Sequence, residues 1–177
     1  MIASQGLNMT ELDDEESELA GTADDEQWTV MKAACSFLLK LSECVGEAVW
    51  EPTATLFQEK MANQQNWKES LIGLSALAAV IPATNNGQVG QYFSQAFPCI
   101  RDLAISHQAS RVRLAAMWVM HSICKHLPEV VYYSEQHLAQ LTELAIHSLG
   151  SDNWQIKAVI ASSLAHIFEA CHRIGQS

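Results

Sequence analysis

Apolar residues recur along this chain at spacings of three and four, and almost nowhere in strict alternation. Between Trp28 and Val45 the set Val30, Ala34, Phe37, Leu38, Leu41 and Val45 forms one helical stripe, and Gly46 marks its stop. A second helix begins around Pro52, a residue tolerated in a first turn, and carries Leu56, Phe57 and Met61 up to the polar break at 63–66. A third follows Trp67, with Leu71, Leu74, Ala78 and Ile81, and ends at Pro82. The fourth spans 88–105 with Tyr92, Phe93, Ala96, Ile100 and Leu103; Pro98 inside it should kink or break it. The fifth spans 110–127, with Val112, Ala116, Val119, Ile123 and Leu127, and stops before Pro128. Residues 135–149 carry Leu138, Leu141, Ala145 and Leu149. After a capping turn at 150–153, residues 154–170 carry Ile156, Ile160, Leu164 and Ile167. The pattern predicts an all-α chain of about seven main helices, with connections short enough to make successive helices antiparallel neighbours.

The pattern also repeats. Helices that open near Trp28, Trp67, Ser110 and Trp154 start about 40 residues apart, each after a polar turn. Two helices per unit at that period predict an α-α superhelix, a solenoid of HEAT or armadillo type with roughly four repeats. One hairpin cannot bury both of its faces, so stacking makes the core. The expected division is 1–27 as a partial outer helix and acidic loop, 28–170 as the repeat array, and 171–177 as a C-terminal tail. An ordinary helical bundle is the competing reading.

Charge changes the picture at one place. Of the 20 acidic residues, nine lie between Glu11 and Trp28: Glu11, Asp13, Asp14, Glu15, Glu16, Glu18, Asp24, Asp25 and Glu26. No Lys or Arg interrupts them, and the rest of the chain is nearly neutral, so the net charge of -10 is largely one local object. Two readings stand: a solvated acidic arm, or a docking place for a basic partner. The same net charge opposes nucleic-acid binding. No apolar run predicts a membrane span, and the N-terminus lacks the basic and apolar regions of a signal peptide. Five scattered cysteines without a CxxC predict reduced thiols rather than a disulfide framework. The acids do not follow a calcium-loop spacing. His121-x-x-Cys124-x-His126 does not place three ligands on one helical face. No catalytic motif is present, so neither an enzyme nor a cofactor is expected. Trp118 lies about 200° around its helix from Ala116, which predicts an exposed ring on the inner, concave wall. Trp28, Trp67 and Trp154 open helices, where packing at repeat junctions is expected.

A series of these residues, in order, resembles the importin-β (karyopherin-β) family. The acidic stretch closes on Asp24-Asp25-Glu26-Gln27-Trp28 and is followed by Lys32-Ala33-Ala34. Asn66-Trp67 opens an inner helix, and Gln95-Ala96-Phe97-Pro98 follows. Then come Val112-Arg113, Trp118, Ile123-Cys124 and Leu127-Pro128-Glu129. The series runs from about Asp13 to Ala170. It departs from the family at Lys68-Glu69-Ser70, where an Arg-acid pair is usual, and at Ser162, near a position often held by Trp. The resemblance implies a nuclear import receptor of HEAT repeats, working in the cytoplasm, the nucleus and the nuclear pore. It implies binding of basic cargo or the basic helix of importin-α, of the Ran GTPase, and of Phe-Gly nucleoporins. It places contacts on the acidic loop (Asp13, Asp14, Glu15, Glu16, Asp24, Asp25 and Glu26) and on the aromatics Trp28 and Trp118. The alternative is a HEAT scaffold, such as a phosphatase regulatory subunit, with no transport role.

Overall fold

A computed structural model of the chain describes residues 30–62, 66–84 and 86–174. Among them there is no strand. Helix α1 is Val30–Val45, α2 Trp50–Met61, α3 Trp67–Val80 and α4 Asn86–Ser106. Helix α5 is Ser110–His126, α6 Pro128–Tyr132, α7 Glu135–Leu149 and α8 Trp154–Ile174. Single turns of 3-10 helix at Gly46–Val49 and Ile81–Ala83 complete the order.

Local chemistry sets the boundaries. Gly46 has a φ of 61°, the left-handed region that ends α1 at little cost to glycine. Asn66 accepts from the Lys68 amide at 3.2 Å and opens α3. Ser134 accepts from the His137 amide at 3.2 Å, and Asn153 from the Gln155 amide at 2.9 Å, opening α7 and α8.

The helices pair as α2–α3, α4–α5 and α7–α8, and the pairs stack in two layers. The second helices α3, α5 and α8, preceded by α1, form one continuous layer; α4 packs on α7 in the other. Helix α2 joins the α4–α7 layer through Trp50, whose ring meets Tyr92 at 5.2 Å and Phe93 at 5.6 Å. Leu74, Leu77, Phe93, Phe97, Ile100, Met117, Met120 and Ile123 are fully buried between the layers. Gly73 lets α2 and α3 close together: a Cβ there would stand 3.2 Å from the Lys60 Cβ. The all-α solenoid of stacked hairpins is the architecture the helical periodicity predicts.

Several details differ from the sequence pattern. Phe37, Leu41 and Val45 of the α1 stripe are exposed, because α1 packs through its Leu38 and Ser42 side. On α7, Leu141, Leu144 and Ala145 are buried while Leu138 and Leu149 are exposed. Pro98 neither breaks nor ends α4, which continues to Ser106. The buried Phe97 and Ile100 on either side of it hold the helix against the core and offset the lost backbone bond. The proline after α5 opens α6, a short helix the pattern did not show. Helix α8 runs to Ile174, past the boundary expected at 170. Trp154 is 59% exposed rather than packed at a junction, whereas Trp67 is half-buried against the core.

Candidate functional site: the wall of second helices

Small residues bring α1, α3 and α5 together. The Cys35 thiol lies 3.9 Å from the Ser75 carbonyl, and the Ser122 hydroxyl donates to the Ala78 carbonyl at 3.4 Å. Where these helices splay, they leave a groove of about 410 Å³. Cys35, Ser36 and Leu39 line it from α1, and Leu71, Ser75, Ala78 and Ala79 from α3. Helix α5 supplies Arg111, Leu114, Ala115, Trp118 and Ser122.

Trp118 is 49% exposed, and its ring meets His121 edge-on at 5.4 Å. His121 in turn lies 5.3 Å from the His166 ring on α8, with the Ser163 hydroxyl 3.4 Å from its Nδ1. At the other end of the groove the Lys68 ammonium and the Arg111 guanidinium both stand over the Trp67 ring, at 5.6 Å and 5.9 Å. Arg111, Trp118 and Lys125 follow one another at intervals of seven and therefore share a face of α5.

The charges are segregated. Helices α1, α3, α5 and α8 carry eight of the ten Lys and Arg: Lys32, Lys40, Lys68, Arg111, Arg113, Lys125, Lys157 and Arg173. They carry three carboxylates, and each of these is ion-paired. Glu43 pairs with Lys40 at 2.7 Å, Glu69 with Lys60 of α2 at 2.5 Å, and Glu169 with Arg173 at 4.0 Å. Helix α5 has no acid at all. The opposite layer has the reverse balance, with Lys60 and Arg101 against Glu51, Glu59, Asp102, Glu129, Glu135 and Glu143. Arg101 answers two of those, Asp102 and Glu143.

Two histidines of the wall, His121 and His126, are shifted first by burial and only then by neighbouring cationic groups. Burial holds His121 below the usual histidine value, reinforced by His166, Lys125 and His126. His126 is lowered in the same direction, by burial and then by Lys125 and His166. A depressed imidazole takes up its proton later in the fold than in the unfolded chain. Stability is therefore full above the ordinary histidine value of about 6.5 and is lost as pH falls through that value toward the folded one. Thermal unfolding followed by circular dichroism should show the melting temperature dropping as pH falls below about 6.5. His121→Gln should reduce the drop.

Cys124 is fully buried and its thiol is pushed up to about 12 by burial, so it is an inert core residue. Among the described residues no group of three His, Cys, Asp or Glu could hold a metal ion, and no helix is long and apolar enough to cross a membrane.

Of the site residues expected from the sequence, the structure places Trp118 alone, as the exposed aromatic of the groove. Asp13, Asp14, Glu15, Glu16, Asp24, Asp25, Glu26 and Trp28 lie outside the described residues. The sequence reading missed the cationic character of the wall. The seven-residue spacing of Arg111, Trp118 and Lys125 was its available signal.

No protein-family model matches the chain. Among solved structures, the chain is similar to one in a complex of Kap95p with RanGDP. In that complex Kap95p binding induces the switch loops of RanGDP to adopt the GTP-bound conformation, with implications for nuclear import complex assembly. The TM-score is 0.74 and the identity 18%; the match covers 94% of this chain and 20% of the other. This chain thus spans about a fifth of that one's length. The likeness is one of fold.

Proposed function

We propose that this chain is a piece of a nuclear transport receptor of importin-β type, and that its acidic segment receives a basic partner. The reading rests chiefly on a solenoid fold, like that of a chain in a karyopherin–Ran complex, that begins directly behind a strongly acidic stretch. The order of residues on the helices supports it. Trp67 opens α3, and Val112, Arg113, Trp118, Ile123 and Cys124 follow along α5 to the Leu127-Pro128-Glu129 junction. In this reading the basic helix of importin-α, or basic cargo, lies against Asp13 to Glu26 and Trp28, with Trp118 offering an apolar contact from the wall. Ran and Phe-Gly nucleoporins are the further partners, the protein works without catalysis or cofactor, and it moves between cytoplasm and nucleus. A scaffold role without transport is the reading it displaces.

The test is titration of the chain with a synthetic importin-α basic helix at several salt concentrations. Binding should be micromolar or tighter and should weaken as salt shortens the screening length to a few Å. Replacing Asp24, Asp25 and Glu26 with Ser should weaken it about tenfold or more. Salt-independent binding, or an unaffected triple variant, would remove the acidic segment from the interface.

A further inference from the structure

The groove between α1, α3 and α5 is apolar along its floor and cationic beyond one end. Leu39, Leu71, Ala78, Ala79 and Leu114 line it, and the Trp118 ring stands half exposed on its rim. The Ser122 hydroxyl, also in the lining, is engaged by the Ala78 carbonyl. A volume of about 410 Å³ falls within the range of about 300–1,000 Å³ that holds ligands.

Lys125 continues the row of groove residues on α5. Leu114, Trp118 and Ser122 follow one another at intervals of four, and Lys125 comes three residues later on the same face. Its side chain is exposed, and among the described residues no carboxylate comes within ion-pair reach of it. Two imidazoles stand close by, because Lys125 acts electrostatically on both His121 and His126. His121 also meets the Trp118 ring edge-on. Helix α5 brings no acid, and Glu169, the one carboxylate of α8, faces His166 and Arg173.

An occupant that used both the groove and Lys125 would have to be extended. Trp118 and Lys125 are about 10 Å apart along their helix, a span that suits a stretch of polypeptide better than a compact molecule. Aliphatic side chains in the groove and negative charge beyond its end would complement this layout. We propose that the groove binds a short acidic segment of a partner protein, with aliphatic side chains lodged against Leu71, Leu114 and the Trp118 ring and carboxylates on Lys125 and His126. An exposed ion pair holds little by itself, so the aliphatic anchors supply most of the affinity and the cations select for acid. The transport reading needs a partner of the opposite charge, so either can fail without the other.

The experiment is a fluorescence-anisotropy titration of the full chain, at low ionic strength, with a labelled synthetic peptide that carries Leu-Leu between two runs of Glu. Exchanging Leu-Leu for Ser-Ser should weaken binding about tenfold or more. Raising the salt to about 0.5 M should weaken it about fivefold or more. Ser36→Trp fills the groove from an exposed position, so it should keep the melting temperature and reduce binding about tenfold. Lys125→Glu should reduce binding about fivefold. Lys157→Glu, the same charge change at an exposed position of α8, should reduce it less than about twofold. Absence of binding, equal effects of the two lysine variants, or indifference to the leucines would overturn the proposal. So would a Ser36→Trp chain that still holds the peptide but no longer self-associates, because the groove would then receive another copy of this chain.

Discussion

Phe97→Ala should lower the stability of the chain by about 3–5 kcal/mol, the largest loss expected from any single truncation of its core. Phe97 is fully buried in α4. Its ring stacks on the His137 ring at 4.7 Å and an interplanar angle of 20°. His137 is itself buried on α7, with Nδ1 2.8 Å from the Val130 carbonyl of α6. The ring thus seals the joint between α4 and the α6–α7 turn. A domain of this size is stable by only about 5–15 kcal/mol, so the variant should sit near its unfolding threshold. Urea unfolding followed by circular dichroism reads the change as a lower midpoint at a similar slope. Phe168→Ala is the internal control: with the side chain 70% exposed, it should shift stability by no more than about 0.5 kcal/mol. A Phe97→Ala loss under about 1 kcal/mol would mean that the joint collapses around the gap.

That contrast between two phenylalanines marks what periodicity can and cannot read. Helix starts were legible where side-chain chemistry writes them, as at Asn66-Trp67 and Asn153-Trp154. The hairpin repeat was legible because its turns are polar. Burial was less so. The stripe Phe37, Leu41 and Val45 has helical spacing, yet the packed side of α1 is the one with Cys35 and Ser42, because close helix approach needs small residues more than large ones. Spacing reports which residues share a face; how many neighbours that face meets is a property of the stack. The wall was half legible for the same reason. Arg111, Trp118 and Lys125 declare a common face in the sequence. That Lys68 joins Arg111 over Trp67 depends on the register of two helices a whole repeat apart. The acidic segment is plain in the sequence, and it lies outside the described residues.

The same logic of stacking predicts that the chain associates with itself through the outward face of its last described hairpin. Helix α8 turns Ile156, Ile160, Ser163 and Ile167 inward. On the opposite side it exposes Trp154, Ala158, Ala161, Ala165 and Phe168, spaced as one helical stripe. Helix α7 adds Ile146, 71% exposed, and Leu149. Small residues between larger apolar ones are also how α3 and α5 meet, at Ala78 and Ser122, so this face has the make-up of a joint. An apolar stripe of that extent is unusual on a surface that meets only water. Burying an Ile or Phe side chain is worth about 1.5–3 kcal/mol, so Ile146→Glu with Phe168→Glu should weaken self-association at least about a hundredfold. Both side chains are exposed, so the fold should keep its melting temperature. Sedimentation velocity across a concentration series checks both chains. A sedimentation coefficient that rises with concentration in the parent and stays flat in the double variant assigns the contact to this face. Equal behaviour of the two would assign it elsewhere, with the exposed Phe37, Leu41 and Val45 of α1 as the next face to alter.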